Sequence, residues 1–204
     1  MAQAAYRTPG RAYHDWAHVL NCVEQLRTLP MAAPRAAVLA ILFHDAVYVA
    51  GAADNERRSA DLALEVLNVR CTLPRAELRA VERMILATRD HHALAATLTA
   101  EEQTMLDVDL SILGASWEEY EAYARGVRQE YVPAVTNARR FRLGRSQFLS
   151  AMLKRPHIFL TAEARRRWDE RARANMRREL EQLGGQPGLG TRWLVRLQQL
   201  FVRR

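Results

Sequence analysis

The chain has 204 residues, of which 49% are hydrophobic and 26% are charged, and its net charge is +7. This composition is typical of a soluble globular domain and excludes a disordered or low-complexity chain. The longest apolar run, residues 36–43, is too short to cross a membrane, so we expect no membrane partner. The basic balance, with a pI near 10.1, favours anionic ligands.

Helical periodicity dominates the chain and strand patterns are nearly absent, which predicts an all-α fold. The predicted helices span residues 14–29, 34–49, 55–70, 74–89, 99–113, 116–131, 136–153, 161–184 and 190–203. Ser116, followed three residues later by Glu119, predicts a capping box at the start of one of them. Cys22 and Cys71 lack the spacing of a metal site or a disulfide, so we expect both to be reduced core residues of a cytoplasmic protein.

The helix predicted at 34–49 differs from its neighbours because residues 36–43 are apolar on every face. A helix that is apolar all round belongs in the middle of a bundle. This one nevertheless ends in His44 and Asp45. Burying an ionised aspartate is costly unless a cation or hydrogen bonds compensate its charge. The pair is therefore the first indication of chemistry in the core.

Further metal-competent side chains lie beside apolar helix in three places: His14 and His18, His91 and His92, and Asp107 and Asp109. The first pair is four residues apart, so both rings would project from one helix face. Each pattern alone is common. Together they indicate a divalent metal that is held by nitrogen and oxygen and can activate water.

These motifs resemble the H…HD…D signature of the HD superfamily of metal-dependent phosphohydrolases. The segments 13–18 and 109–111 are similar to motifs of cyclic-nucleotide phosphodiesterases, which share that fold. A closer similarity, to a bacterial family of predicted HD phosphohydrolases, extends over residues 13–18, 44–48, 54–60, 87–91, 106–114, 128–131 and 170–175. The resemblance implies an HD-domain helical bundle, a single domain over residues 1–204 with its core at about 13–132 and a helical extension at about 136–204.

The sequence departs from the family pattern at two places. The phosphodiesterase motif usually has asparagine after its first histidine, where this chain has Asp15. The bacterial family normally has another helix before the position of Tyr6. The resemblance therefore implies a shortened start that lacks residues closing the pocket.

By position, the resemblance implies that the metal ligands are His18, His44, Asp45 and Asp109. The cofactor would be one or two divalent ions of Mn, Mg, Co, Ni, Zn or Fe. A second ion would be bridged by Asp45 and bound by His91, with His92 as the alternative. Asp109 is preferred to Asp107 because it fits the register of the motif, and two positions apart on a helix the two carboxylates cannot face one ion.

The resemblance also implies roles in catalysis. His14 would be the general acid that protonates the leaving oxygen, or else a partner that orients a ligand. Glu56 would orient the attacking water or contact a second ion; the alternative is an acidic residue that merely favours the helix N-terminus. Arg128 and Arg145 would hold phosphate oxygens, or form ordinary ion pairs. The expected reaction is hydrolysis of a nucleotide or a small phosphorylated metabolite.

Two other classes of function remain open. One is an HD-fold oxygenase with two irons, which needs a fuller set of histidines and carboxylates. The other is a non-catalytic module with a structural metal, in which the arginine-rich segment 165–178 docks nucleic acid. For that segment a solvated helix is favoured, because acidic residues alternate with the arginines and no run of aromatic residues marks a base-stacking surface. The sequence leaves the oligomeric state open, although the apolar stripe of the helix predicted at 190–203 favours packing back on the domain.

Overall fold

The computed structural model describes residues 2–29, 34–93 and 95–184. These residues form helices and turns with no strand among them, so the predicted all-α fold is confirmed. Within the same ranges, no helix has both the length and the apolar character needed to cross a membrane. The helix predicted at 190–203 lies outside the described residues.

Apart from the first, which was not predicted, the observed helices follow the predicted order. They are α1 (Ala2–Ala5), α2 (Trp16–Arg27), α3 (Arg35–Phe43), α4 (Asn55–Arg70), α5 (Arg75–Ala87), α6 (Ala100–Asp109), α7 (Trp117–Tyr131), α8 (Ala138–Lys154), α9 (Ala162–Ala164) and α10 (Glu170–Gln182). A π-helical stretch, Arg165–Asp169, separates α9 from α10 within one predicted helix. The predicted capping box is confirmed, since the Ser116 hydroxyl and the Glu119 carboxylate each accept a hydrogen bond from the other residue's backbone N–H.

The described residues form two compact units. Unit 1 contains the described residues of Met1–Val49 and Asp54–Ser111. Unit 2 contains Ala50–Ala53 and the described residues from Ile112 onwards. The main boundary, after Ser111, comes earlier than the predicted break between the core and the extension at 132–136. The reason is that α7 packs against α10 and so belongs with the C-terminal helices.

The central element of unit 1 is α3, which contacts α2, α4, α5 and α6. Ala37, Ala40, Ile41 and Phe43 of this helix are buried. The central position predicted from its apolar faces is therefore confirmed. The prediction that this helix extends to residue 49 is wrong, because α3 ends at Phe43.

Two side chains of α4 hold the segment that follows α3. Ser59 Oγ accepts a hydrogen bond from the Val47 backbone N–H at 3.0 Å and donates one to the Val47 carbonyl at 3.1 Å. Asn55 does the same for Val49, accepting at 3.0 Å through Oδ1 and donating at 2.9 Å through Nδ2. These bonds satisfy backbone groups that a longer helix would have paired internally. The prediction of helix as far as residue 49 is wrong for this reason.

Unit 2 is organised around α10, which packs against α7 and α8. Asn175 Nδ2 donates hydrogen bonds to the carbonyls of Leu113 at 2.9 Å and Ala115 at 3.0 Å. Between these two residues, Gly114 approaches Trp168 so closely that a Cβ would lie 2.6 Å from the Trp168 Cβ and 2.8 Å from its carbonyl oxygen. Glycine is needed here for close packing, and not only to interrupt a helix.

Candidate metal centre

Nitrogen and oxygen donors from separate elements of unit 1 come together at one point. His18 is supplied by α2, His44 and Asp45 by the end of α3 and the turn after it, and Asp109 by the last residue of α6. One ligand atom from each of His18, His44 and Asp109 lies within 4.8 Å of the others, an arrangement that could hold a metal ion. The two histidines are only 5% and 1% exposed, so their rings are shielded from bulk water.

The distances among His18, His44 and Asp109 fit one coordination sphere, and Asp45 lies beside it. His18 Nε2 lies 3.1 Å from His44 Nε2 and 3.1 Å from Asp109 Oδ1. His44 Nε2 lies 3.3 Å from the same Oδ1 and 3.0 Å from Asp45 Oδ2. Donors that share one ion through bonds of about 2.1 Å at angles of about 90–110° lie about 3.0–3.4 Å apart. Asp45 Oδ2 is 3.9 Å from His18 Nε2, so Asp45 is the outermost member.

Hydrogen bonds alone do not explain this convergence. His44 Nδ1 lies 2.8 Å from the Ile41 carbonyl, to which it donates its proton. A neutral ring then has only a lone pair at Nε2. That lone pair faces His18 Nε2 and the carboxylate oxygens Asp45 Oδ2 and Asp109 Oδ1, and neither carboxylate oxygen can donate a hydrogen bond. Protons on the two rings can bridge only some of these contacts, whereas one metal ion can contact His18, His44 and Asp109 at once.

In the absence of an ion, protons would compensate the two carboxylates. Burial lowers the pKa of His44, but the charges of Asp45 and Asp109 and their hydrogen bonds outweigh burial and hold it well above the usual value. Burial raises the pKa of both aspartates. For Asp45, the charge of His44 and a hydrogen bond from its ring outweigh burial and hold the pKa well below the usual value. For Asp109, the charge of His44 and hydrogen bonds from His18, His44 and His91 do the same. A dication can displace protons from such a site.

His18 is flanked by a cysteine one helical turn away. Cys22 Sγ lies 3.7 Å from His18 Nδ1 and 3.9 Å from the Val108 carbonyl, and the four-residue spacing places thiol and ring on one face of α2. Cys22 is buried, as predicted, although its contact with a candidate ligand was not anticipated. The prediction that Cys71 is a core residue is wrong, because it is exposed just after the end of α4.

His91 contacts the second oxygen of the Asp109 carboxylate. Its Nε2 lies 2.8 Å from Asp109 Oδ2, whereas Oδ1 faces His18 and His44. This contact orients the carboxylate plane and also places a nitrogen donor where a second ion could bind. Of the two neighbouring histidines, His91 is the one predicted to bind a second ion, and it makes this contact.

Glu56 begins the first turn of α4 and is half-buried. Burial raises its pKa, and the charge of Asp45 raises it further. A carboxyl group with a raised pKa beside a cluster of metal-competent residues is suited to proton transfer.

His14 lies outside α2, because Asp15 caps that helix. Asp15 Oδ1 accepts hydrogen bonds from the backbone N–H groups of Ala17 at 2.8 Å and His18 at 3.1 Å. The prediction that His14 and His18 share a helix face is therefore wrong. The His14 ring instead stacks on Tyr48 at 4.3 Å between centroids, with its centroid 6.2 Å from that of His18. An asparagine oxygen could form the same cap, so Asp15 is a conservative departure from the motif.

Arg11 is a member of the site that the sequence analysis missed. Its Nη1 donates to the carbonyls of His14 and Asp45, and its Nη2 donates to the Ala46 carbonyl at 3.1 Å. It thereby joins the segment that carries His14 to the turn that carries Asp45. No sequence pattern reveals this role, because a single arginine resembles a surface charge and two of its partners are more than thirty positions away.

The two arginines predicted to hold phosphate belong to unit 2. Arg128 is exposed on α7 and forms no ion pair with a residue in the described ranges. Arg145 is buried on α8, where Nε and Nη2 donate to the Glu179 carboxylate at 2.8 and 2.9 Å and Nη1 donates to the Tyr123 hydroxyl at 3.0 Å. These partners indicate a structural role for Arg145. A phosphate contact remains a prediction for both residues.

All the other predicted site residues belong to unit 1. They are His14, His18, His44, Asp45, Glu56, His91 and Asp109. His18, His44 and Asp109 are brought together, and Asp45 contacts His44 beside them. His91 contacts Asp109, the charge of Asp45 raises the pKa of Glu56, and the charge of His14 lowers the pKa of Asp45. Comparison of the chain with protein-family models, with curated proteins and with solved structures finds no match.

Proposed function

We propose that the chain is a metal-dependent phosphohydrolase of the HD type, with its divalent ion held by His18, His44, Asp45 and Asp109. The observation that carries the proposal is the convergence of His18, His44 and Asp109 at the spacing of one coordination sphere, with Asp45 Oδ2 beside them at 3.0 Å from His44 Nε2. Mixed imidazole and carboxylate donors suit divalent ions such as Mn, Fe, Co, Ni or Zn.

Partial exposure of the two aspartates supports a catalytic site over a closed structural one. The side chains of Asp45 and Asp109 are 17% and 12% exposed, whereas those of His18 and His44 are 2% and 1% exposed. One side of the cluster is therefore open to solvent. A catalytic metal site needs such an opening for water and substrate.

A bound divalent ion would supply hydroxide near neutral pH and neutralise phosphoryl oxygens. The residues of the chain would perform the proton transfers. Glu56, with its raised pKa, would accept a proton from the attacking water, and His14 would donate a proton to the departing oxygen. His91 would hold the Asp109 carboxylate in place.

Metal analysis and a substrate panel test the proposal. The protein would be purified without chelator, its metal content measured, and phosphomonoesters, phosphodiesters and nucleotides assayed with Mn, Mg, Co, Ni and Fe. We expect one or two ions per chain and hydrolysis of at least one class of ester. Two irons per chain together with oxygen consumption would contradict the hydrolase proposal and indicate an oxygenase. Nucleic-acid affinity that survives His44→Ala with Asp45→Ala, without any esterase activity, would indicate a binding module.

Replacing His14 with glutamine should reduce kcat by about 10²–10⁴-fold, the usual contribution of a general acid. Metal content should stay the same, because His14 does not belong to the group formed by His18, His44 and Asp109, although its charge acts on Asp45. Metal content and kcat would be measured on the same preparation. His157→Gln, which changes an exposed histidine of unit 2, is the matched control and should alter neither quantity. Loss of metal from the His14 variant would make this residue a ligand.

Metal affinity should rise steeply with pH. Burial lowers the pKa of His18, but interaction with Cys22 and the hydrogen bond with Asp109 outweigh burial and raise it to about 10. Metal binding at neutral pH must therefore displace a proton from this ring and one from His44, whose pKa is also held well above its usual value. The apparent Kd should consequently fall by at least about tenfold per pH unit between about pH 7 and 9. Competition with a chelating dye measures this dependence. A Kd that does not change over this range would contradict the assignment of His18.

The same proton links pH to the stability of the metal-free chain. Its stabilising contribution is complete below the usual histidine pKa of about 6.5 and is lost as pH rises through about 10. The Tm of metal-free protein should consequently fall over this window, whereas the metal-bound protein should show a smaller change.

A further inference from the structure

Unit 2 contains a cavity of about 640 Å³ against one face of α8. Its lining consists of Asn137, Arg139, Arg140, Arg142, Leu143, Ser146 and Leu183. Positions 139, 142, 143 and 146 share a helix face because they are spaced by three, four and seven residues. The lining therefore contains three arginines and no acidic residue.

The three arginines have no carboxylate partner in the described part of the chain. All three are exposed, and none forms an ion pair with a residue in 2–29, 34–93 or 95–184. Arg145 of the same helix differs, because it is buried and paired with Glu179. The sequence of residues 185–204 contains four arginines and no acidic side chain, so it offers no carboxylate side chain either. An anion bound in the cavity would relieve the repulsion among these charges.

Ser146 gives an independent indication of a ligand. The residue is 5% exposed and lines the cavity, yet its hydroxyl forms no hydrogen bond with any residue that the structure describes. Its Oγ is not among the fully enclosed atoms that lack a partner, so the atom is accessible from the cavity. A hydroxyl group placed in this way can donate to an oxygen atom of a ligand in the cavity.

We propose that this cavity binds a small ligand that carries two or more phosphate groups, such as a nucleoside diphosphate. Arginine side chains match phosphate oxygens in both geometry and charge. The volume lies within the range of about 300–1,000 Å³ typical of small-molecule sites, and is larger than a single phosphate requires. Leu143 and Leu183 add apolar surface for an organic group. The lining has no aromatic residue on which the bases of a nucleic-acid strand could stack.

Isothermal titration of the intact chain with ADP and with pyrophosphate tests this site. The protein would first be freed of metal and then dialysed to remove the chelator, so that neither the ion of unit 1 nor a competing polyanion contributes. We expect one ADP per chain, weaker binding of AMP, and affinity that falls with salt. Arg139→Ala and Arg142→Ala should each weaken ADP binding about tenfold, the effect of one charge-assisted hydrogen bond. Ser146→Ala should weaken it less, and Arg142→Lys should retain part of the affinity.

The matched control removes two other exposed arginines. Arg75→Ala with Arg79→Ala, on α5 of unit 1, deletes the same charge as Arg139→Ala with Arg142→Ala and should leave ADP binding unchanged. If both double variants lost the same affinity for ADP, the loss would come from the change in net charge and the proposal would be overturned. Absence of binding by ADP and pyrophosphate would overturn it too, as would tight binding of a single-stranded oligonucleotide without binding of ADP. Because metal-free protein is used, none of these outcomes depends on hydrolase activity.

Discussion

Replacing Asp109 with asparagine is expected to empty the metal centre and to abolish activity with it. The substitution keeps the shape of the side chain but removes the negative charge that faces His18, His44 and His91. Loss of a residue that only hydrogen-bonds to a metal ligand weakens metal binding by up to about 100-fold. Loss of an anionic ligand itself should therefore weaken binding by at least about 100-fold. The metal would be quantified after dialysis, together with the increase in Tm on addition of metal. That increase corresponds to about 2.7 kcal/mol at a metal concentration of 100 times the Kd, and should be absent in the variant.

Asp107→Asn is the matched control for this experiment. Asp107 lies two residues earlier on the same helix and is 1% exposed, but it does not belong to the group of residues that could hold a metal ion. We expect this variant to keep its metal and its activity. A folded Asp107→Asn protein without metal, or an Asp109→Asn protein with stoichiometric metal, would reverse the choice between the two aspartates.

Replacing Glu179 with glutamine should destabilise unit 2 by about 3–5 kcal/mol, the usual cost of removing one partner from a buried ion pair. Arg145 and Glu179 are 9% and 7% exposed, and the carboxylate accepts two hydrogen bonds from the guanidinium and one from the Tyr120 hydroxyl. Without the carboxylate charge, the guanidinium remains buried and uncompensated. Urea denaturation of the variant and the parent chain measures the difference.

Two further variants test whether the loss of stability comes from the burial of this ion pair or would follow from breaking any ion pair. Glu163→Gln breaks a pair with Arg166, whose side chain is 73% exposed, and should change stability by less than about 1 kcal/mol. Arg145→Met combined with Glu179→Leu removes both charges and should cost less than Glu179→Gln alone, because no unpaired charge remains. If Glu179→Gln cost no more than Glu163→Gln, the buried pair would not be a determinant of stability.

Much of the helical architecture could be predicted because local signals agree with the packing. The limits of α4 match the prediction, Ser116 and Glu119 form the expected capping box, and the fully apolar α3 lies at the centre of unit 1. The errors arose where side chains distant in sequence replace backbone bonds. Nothing within residues 44–49 indicates that Ser59 and Asn55 will pair with their backbone and end the helix.

The proposed ligands could be named from the sequence because each lies beside apolar residues and carries metal-competent chemistry. Their spatial convergence is an observation of the structure, and their role in catalysis remains a proposal. Arg11 could not be predicted, since its partners are carbonyl groups and any residue provides a carbonyl. The cavity beside α8 was missed for a different reason. In the sequence the basic residues are most crowded at 165–178, whereas unpaired arginines become apparent only once the carboxylates are seen with their partners in the structure.

The double hydrogen bonds of Ser59 and Asn55 also determine where the chain can change in length. Each side chain pairs with both backbone groups of one residue, so the four-residue interval between Asn55 and Ser59 must match the two-residue interval between Val49 and Val47. A one-residue deletion within 55–59 would rotate one partner by about 100° around α4 and break the match. The bonds place no such constraint on the number of residues between Val49 and Asn55. Length variation among natural or designed relatives should therefore be tolerated in that connection and excluded from the first turn of α4.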